Sequence, residues 1–100
     1  MGTPLTGRQK RHLRALAHHL EPLVQLGKEG VSEAVVAAAN AALTDHELIK
    51  VRLPQIDREE RAEMAAALER ETGAALAGIT GRIAIYYRRH PSKPKITLPR

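Results

Sequence analysis

A lysine framed by glycines, Gly27-Lys28-Glu29-Gly30, falls between the short apolar run Leu23–Leu26 and a helical pattern that begins near Ser32. These residue types suit the gripping of a phosphate. Glycine permits φ > 0 and lets a ligand approach the main chain, while the unpaired N–H groups at a helix start attract anions. Lys28 adds one mobile positive charge, whereas Glu29 and Glu33 place carboxylates that suit the helix dipole and repel a phosphate. Taken alone, the tetrapeptide is most simply a strand-to-helix turn with a solvated lysine at its tip. It is not a nucleoside triphosphate loop, which needs a wider glycine spacing and a hydroxyl residue after a Gly-Lys pair.

Other reactive residue types lead nowhere as clear. His18 and His19 are adjacent, so on a helix they point about 100° apart, and no His-Glu-x-x-His or cysteine partner completes a metal set. Glu59, Glu60, Glu63, Glu69 and Glu71 share a helical stretch with Arg58, Arg61 and Arg70 at spacings that make intrahelical pairs, the pattern of a solvated face. No serine or threonine stands beside a base as a nucleophile would require. An enzyme is therefore the weakest reading, and no metal or cofactor is expected.

Charge is more informative than any single side chain. The net charge is +5, but residues 1–20 hold four basic side chains and no acid, residues 81–100 hold six and no acid, and the middle sixty carry six against eleven acids. Cationic ends around an acidic middle are the footprint of a polyanion partner. With no Phe or Trp and only Tyr86 and Tyr87 as aromatics, base stacking on an aromatic sheet is disfavoured relative to backbone and shape recognition. The absence of cysteine excludes disulfides and thiol chemistry and is compatible with a reducing cytoplasm. No apolar run approaches the roughly eighteen residues of a membrane span, and none resembles a signal peptide. The expectation is a cytoplasmic protein of one domain over its 100 residues.

The elements that must position these groups follow from capping and periodicity. Thr6-Gly7-Arg8-Gln9 has capping-box spacing and opens a helix from about Gly7 to His19, with Leu13, Leu16, Ala17 and Leu20 on one stripe and Arg8, Lys10, Arg11 and Arg14 around the exposed arc. Pro22 ends it, and Leu23–Leu26 reads as a strand. Ser32 caps a second helix, broken at Thr44-Asp45-His46. Alternation over residues 47–53 sets Ile49, Val51 and Leu53 on one strand face and Leu48, Lys50 and Arg52 on the other. Asp57 to Glu60 opens a third helix that Gly73 closes. Two strands then flank Gly78-Ile79-Thr80-Gly81 as a hairpin, the second running from Arg82 to Tyr87, and the proline-containing tail 89–100 docks as an edge strand or stays mobile. The order predicts an α/β sandwich, with strands linked through helices able to pair in parallel and an antiparallel hairpin at the end.

Six segments in this order, Leu5-Thr6-Gly7-Arg8-Gln9, Leu16-Ala17-His18-His19-Leu20, Gly27-Lys28-Glu29-Gly30, His46-Glu47-Leu48-Ile49-Lys50-Val51, Glu71-Thr72-Gly73-Ala74 and Lys95-Ile96-Thr97-Leu98-Pro99, together resemble the CRM domain, and more narrowly the bacterial single-domain YhbY-type proteins. The resemblance implies an α+β fold related to the C-terminal domain of translation initiation factor three, with a four-stranded mixed sheet, three helices packed on it, and RNA binding. It further implies work on precursors of the large ribosomal subunit; plant relatives use the same domain in organellar intron splicing. The family's Gly-x-x-Gly loop falls on Gly27, Lys28, Glu29 and Gly30, and its basic first helix on Arg8, Lys10, Arg11 and Arg14.

The expected activity is thus binding of large-subunit ribosomal RNA precursor by a monomer. The expected site comprises the first-helix cations Arg8, Lys10, Arg11 and Arg14, the loop residues Gly27, Lys28 and Gly30, the strand residues Lys50 and Arg52, and Arg82 and Arg88 near the hairpin. The rival expectation is an adaptor whose basic ends bind acidic proteins.

Overall fold

Thr6 starts the first helix through the capping box its spacing predicts. In the computed structural model, which describes residues 4–100, the Thr6 hydroxyl accepts the Gln9 N–H at 3.1 Å and the Gln9 side chain accepts the Thr6 N–H at 3.0 Å. This opens α1, Gly7–Ala17, which ends at a His18 cap, short of His19. β1 follows as Pro22–Gln25, with proline as the first residue of an edge strand, where a missing donor is tolerated. Ser32 accepts the Val35 N–H at 3.2 Å and starts α2, Glu33–His46; β2 is Leu48–Arg52. Asp57 accepts the Glu60 N–H at 2.8 Å and starts α3, Arg58–Thr72, which Gly73 closes in the left-handed region. β3 is Ala75–Thr80 and β4 is Ile83–Tyr87.

Among the described residues the strands form one sheet in the order β1-β2-β4-β3, with β1 parallel to β2 and the other pairs antiparallel. This is the expected four-stranded mixed sheet with three helices. One face packs Val24, Ile49, Val51, Ala84 and Tyr86 against Ala39 and Leu43 of α2 and Ala65 and Leu68 of α3. The other packs Leu48, Ala77, Ile85 and Tyr87 against Leu13 and Ala17 of α1, with Leu5, Ile96 and Leu98 closing over them. Each layer is built from aliphatic side chains that contribute about 1.5–3 kcal/mol apiece when fully buried.

Three boundaries differ from the sequence reading. Thr44, Asp45 and His46 remain helical, and the break comes at Glu47, which adopts φ 63°. Gly78, Ile79 and Thr80 belong to β3, so the hairpin turn is Gly81-Arg82 alone. Gly78 instead follows a bulge between Leu76 and Gly78, and a Cβ there would lie 2.9 Å from Arg14 Cδ. The glycine is needed for close approach of α1 to the sheet rather than for a turn. Finally, the tail forms no strand, yet it is firmly tied to the body. Buried Glu47 accepts the His90 N–H at 2.7 Å on one carboxylate oxygen, and those of Lys95 and Ile96 at 2.6 and 2.9 Å on the other. Gln9 donates to the Pro99 carbonyl at 2.9 Å.

Candidate nucleic-acid interface

The Gly-x-x-Gly segment is a tight turn at the loop end of the sheet. The Gly30 N–H reaches the Gly27 carbonyl at 3.1 Å, leaving Lys28 and Glu29 exposed at the tip. Gly30 has φ 88°, a conformation that side chains rarely adopt. Gly27 is constrained differently: a Cβ there would lie 2.5 Å from both carboxylate oxygens of Glu29. The Glu29 side chain therefore folds back onto the main chain of its own loop. Lys28 stands clear at the tip.

The neighbouring strands bring further cations to this end. Leu26 N–H bonds the Arg52 carbonyl at 2.9 Å, so the loop leaves the sheet beside Arg52. Leu53 N–H bonds the Arg82 carbonyl at 2.7 Å while Arg82 Nε donates to the Leu53 carbonyl at 3.1 Å, which fixes Arg82 across the end of the same strand. Strand alternation puts Lys50 and Arg52 on the face of Leu48, the α1 face. Lys50 Nζ contacts the His18 carbonyl at 3.4 Å at the end of α1, and Arg14 Nη1 donates to the Ala77 carbonyl at 2.9 Å on the same face. Arg8 and Arg11 extend the cationic surface along exposed positions of α1, with Lys10 half-buried.

Arg88 departs from this arrangement. It lies at the far end of the sheet, and four of its N–H bonds are taken within the fold: Asn40 Oδ1 at 2.7 Å, the Thr72 carbonyl at 2.8 Å, the Asn40 carbonyl at 3.1 Å and Thr44 Oγ1 at 3.1 Å. A guanidinium has five N–H donors, so almost none of its capacity is left for a phosphate. These bonds make Arg88 a bolt that joins α2 to the end of α3.

The tyrosines are equally unavailable for stacking. Tyr86 is buried with its hydroxyl donating to the Ala65 carbonyl at 2.7 Å, and Tyr87 is buried under α1 and the tail. Burial, with the Glu69 charge adding to it, pushes the Tyr86 phenol far above its ordinary value.

Sequence reasoning passed over Glu47. Burial opposes its charge, yet the main-chain N–H groups of His90, Lys95 and Ile96, together with the charge of His90, outweigh that effect and hold its carboxyl below the ordinary value. Its signal in the sequence is its position between a helix and a strand, inside the segment His46–Val51 that carries the family resemblance. Among the described residues no cluster of His, Cys, Asp or Glu is arranged to hold a metal, and no helix is long and apolar enough to cross a membrane.

Helices on both faces of this mixed sheet, with a glycine loop and cations at one end, define a small α+β domain of a recognisable class. The sequence model of the CRS1 / YhbY (CRM) domain matches residues 5–88, and the chain belongs to that family. It is 46% identical over 99 residues to a Haemophilus influenzae protein named an RNA-binding protein, covering 98% of each chain. It is 38% identical over 95 residues to Bacillus subtilis YqeI, named a probable RNA-binding protein, covering 95% of this chain and 99% of that one. The solution structure of Staphylococcus aureus SAV1595 superposes with a TM-score of 0.85 at 37% identity, covering 95% of this chain and 99% of that one.

Proposed function

We propose that this chain binds RNA, and that its target is the ribosomal RNA precursor of the large subunit during assembly in the cytoplasm. The observation that carries the RNA reading is that Arg14, Lys50 and Arg52 share the α1 face of the sheet, with Arg52 beside the strand end from which the Lys28 loop leaves. Family membership and the names of the relatives support it, and the ribosomal target rests on the YhbY-type resemblance. Arg8, Lys10, Arg11 and Arg14 form the electrostatic track; Lys28, Lys50, Arg52 and Arg82 contact phosphates; Gly27 and Gly30 let the backbone approach. The protein acts as a monomer by binding and positioning, without a cofactor and without catalysing a reaction.

Four phosphates neutralised on a single strand correspond to a log-log salt slope of about −2.8, or about −3.6 on a duplex. Sedimentation of cell extract through a density gradient tests the target. Comigration with large-subunit precursors, abolished by ribonuclease, is the expected result. Confinement to ribosome-free fractions overturns the ribosomal assignment. Capture of an acidic protein that survives ribonuclease instead supports the adaptor.

A further inference from the structure

The sequence casts Arg58 and Arg61 as members of intrahelical ion pairs, but the fold gives them another setting. With Ala62 they form one wall of a cleft of about 430 Å³, whose opposite wall is Ile79 and Gly81 at the end of β3 and its turn. Residues three apart on a helix are neighbours on one side of it, at roughly 5–6 Å between Cβ atoms. Both charged side chains lining this cleft are arginines, whose planar forks match phosphate oxygens and whose faces stack on bases. The volume falls within the roughly 300–1,000 Å³ of small-ligand sites.

The far wall supports the same use. Ile79 is 38% exposed and offers an apolar floor beside the cations. Gly81, at φ 59°, has no heavy atom within 4 Å of the place a Cβ would take, so its main chain is open to approach. The Asp57 carboxylate next to Arg58 accepts the Glu60 N–H and does not line the cleft. Across α3 the situation is reversed. The groove between that helix and Gly30 is lined by Glu60 and Glu63 as well as Arg70. The helix therefore turns acids toward the Gly-x-x-Gly loop and arginines toward the hairpin turn, which makes the hairpin side the one that an anion prefers.

We infer that this cleft is a second RNA contact, in which Arg58 and Arg61 hold the phosphate of a nucleotide whose base lies on Ile79. The inference rests on the RNA-binding reading above and adds a contact on the opposite face of the sheet from α1. An RNA held at both places runs around the loop end of the domain, past Arg82.

The test measures binding of large-subunit ribosomal RNA transcribed in vitro, over a range of salt concentrations, by the intact protein and by the double variant Arg58→Gln, Arg61→Gln. Loss of the one phosphate contact reduces the magnitude of the salt slope by about 0.7 to 0.9, with at least a tenfold loss of affinity at low salt. A folded double variant, by circular dichroism, with unchanged affinity and slope overturns the inference. If the variant does not fold, photocrosslinking of the unmodified protein to the same RNA carrying 4-thiouridine decides. Crosslinks within residues 58–62 or 79–81 support the cleft, and crosslinks confined to other segments overturn it. Absence of any binding by the unmodified protein overturns the RNA reading itself.

Discussion

The two ends of the sheet spend their charges in opposite ways. At the loop end Lys28 and Arg52 project into solvent, and on the α1 face Arg14 and Lys50 make only single contacts to carbonyls. At the far end Glu47 and Arg88 are absorbed into the fold, one receiving three main-chain N–H groups and the other donating four hydrogen bonds. Formal charge is thus a poor guide to function unless hydrogen-bond commitment is known. An arginine whose donors are used holds elements together, whereas one whose donors are idle is available to a ligand.

The sharpest way to break this comparison is at Glu47. Glu47→Gln removes the charge that three N–H groups share and turns an amide donor toward those on one of its two sides, so a loss of about 3 kcal/mol is expected in urea unfolding. The amides of Lys95 and Ile96 lose protection from hydrogen exchange in the same variant. The pH dependence has a definite sign. The folded-state pKa lies below the unfolded value, so the stabilisation is complete above the ordinary glutamate pKa of about 4.3 and is lost as pH falls through the folded value. Glu47→Gln should flatten the stability profile in that acid window, and an unaltered profile would assign the acid sensitivity elsewhere.

A pair of arginine variants sharpens the contrast at intermediate size. Arg88→Gln should destabilise by about 2 kcal/mol and leave the salt slope of RNA binding unchanged. Arg52→Gln should do the reverse, shifting stability by no more than about 0.5 kcal/mol while reducing the slope by about 0.7 to 0.9. Equal effects of the two on RNA binding would erase the distinction between the ends. The smallest effects lie in the loop. Gly30→Ala forces a side chain into φ 88° and should cost about 1 kcal/mol in thermal unfolding. Gly27→Ala meets only the movable end of Glu29 and should cost a few tenths of a kcal/mol.

Local signals made most of the framework legible in the sequence. Thr6, Ser32, Asp57 and Gly73 mark helix ends by chemistry that acts within a turn, and the alternation of residues 48–53 sorts two faces correctly. What escaped depends on partners distant in the chain. Gly78 looks like a turn residue until Arg14 is laid across it. Arg88 looks like a free cation until Asn40 and Thr72 surround it. Glu47 has the least expected role, since its three donors lie more than forty residues away and hold it in a conformation rare for a side chain. The loop and the basic first helix were visible as a candidate site, but their meeting with Lys50 and Arg52 on one face needed the strand order. The Arg58 and Arg61 cleft was hidden because spacing along a helix does not show which neighbours face it.

The placement of the two tyrosines also equips the molecule with its own optical labels. Tyr86 sits in the layer beneath α2 and α3, Tyr87 in the layer beneath α1 and the tail, and the chain has no tryptophan. Each layer thus carries one chromophore. Near-ultraviolet dichroism of the Phe variants at these positions separates the melting of one layer from that of the other, and detachment of the tail registers on Tyr87 while Tyr86 stays silent.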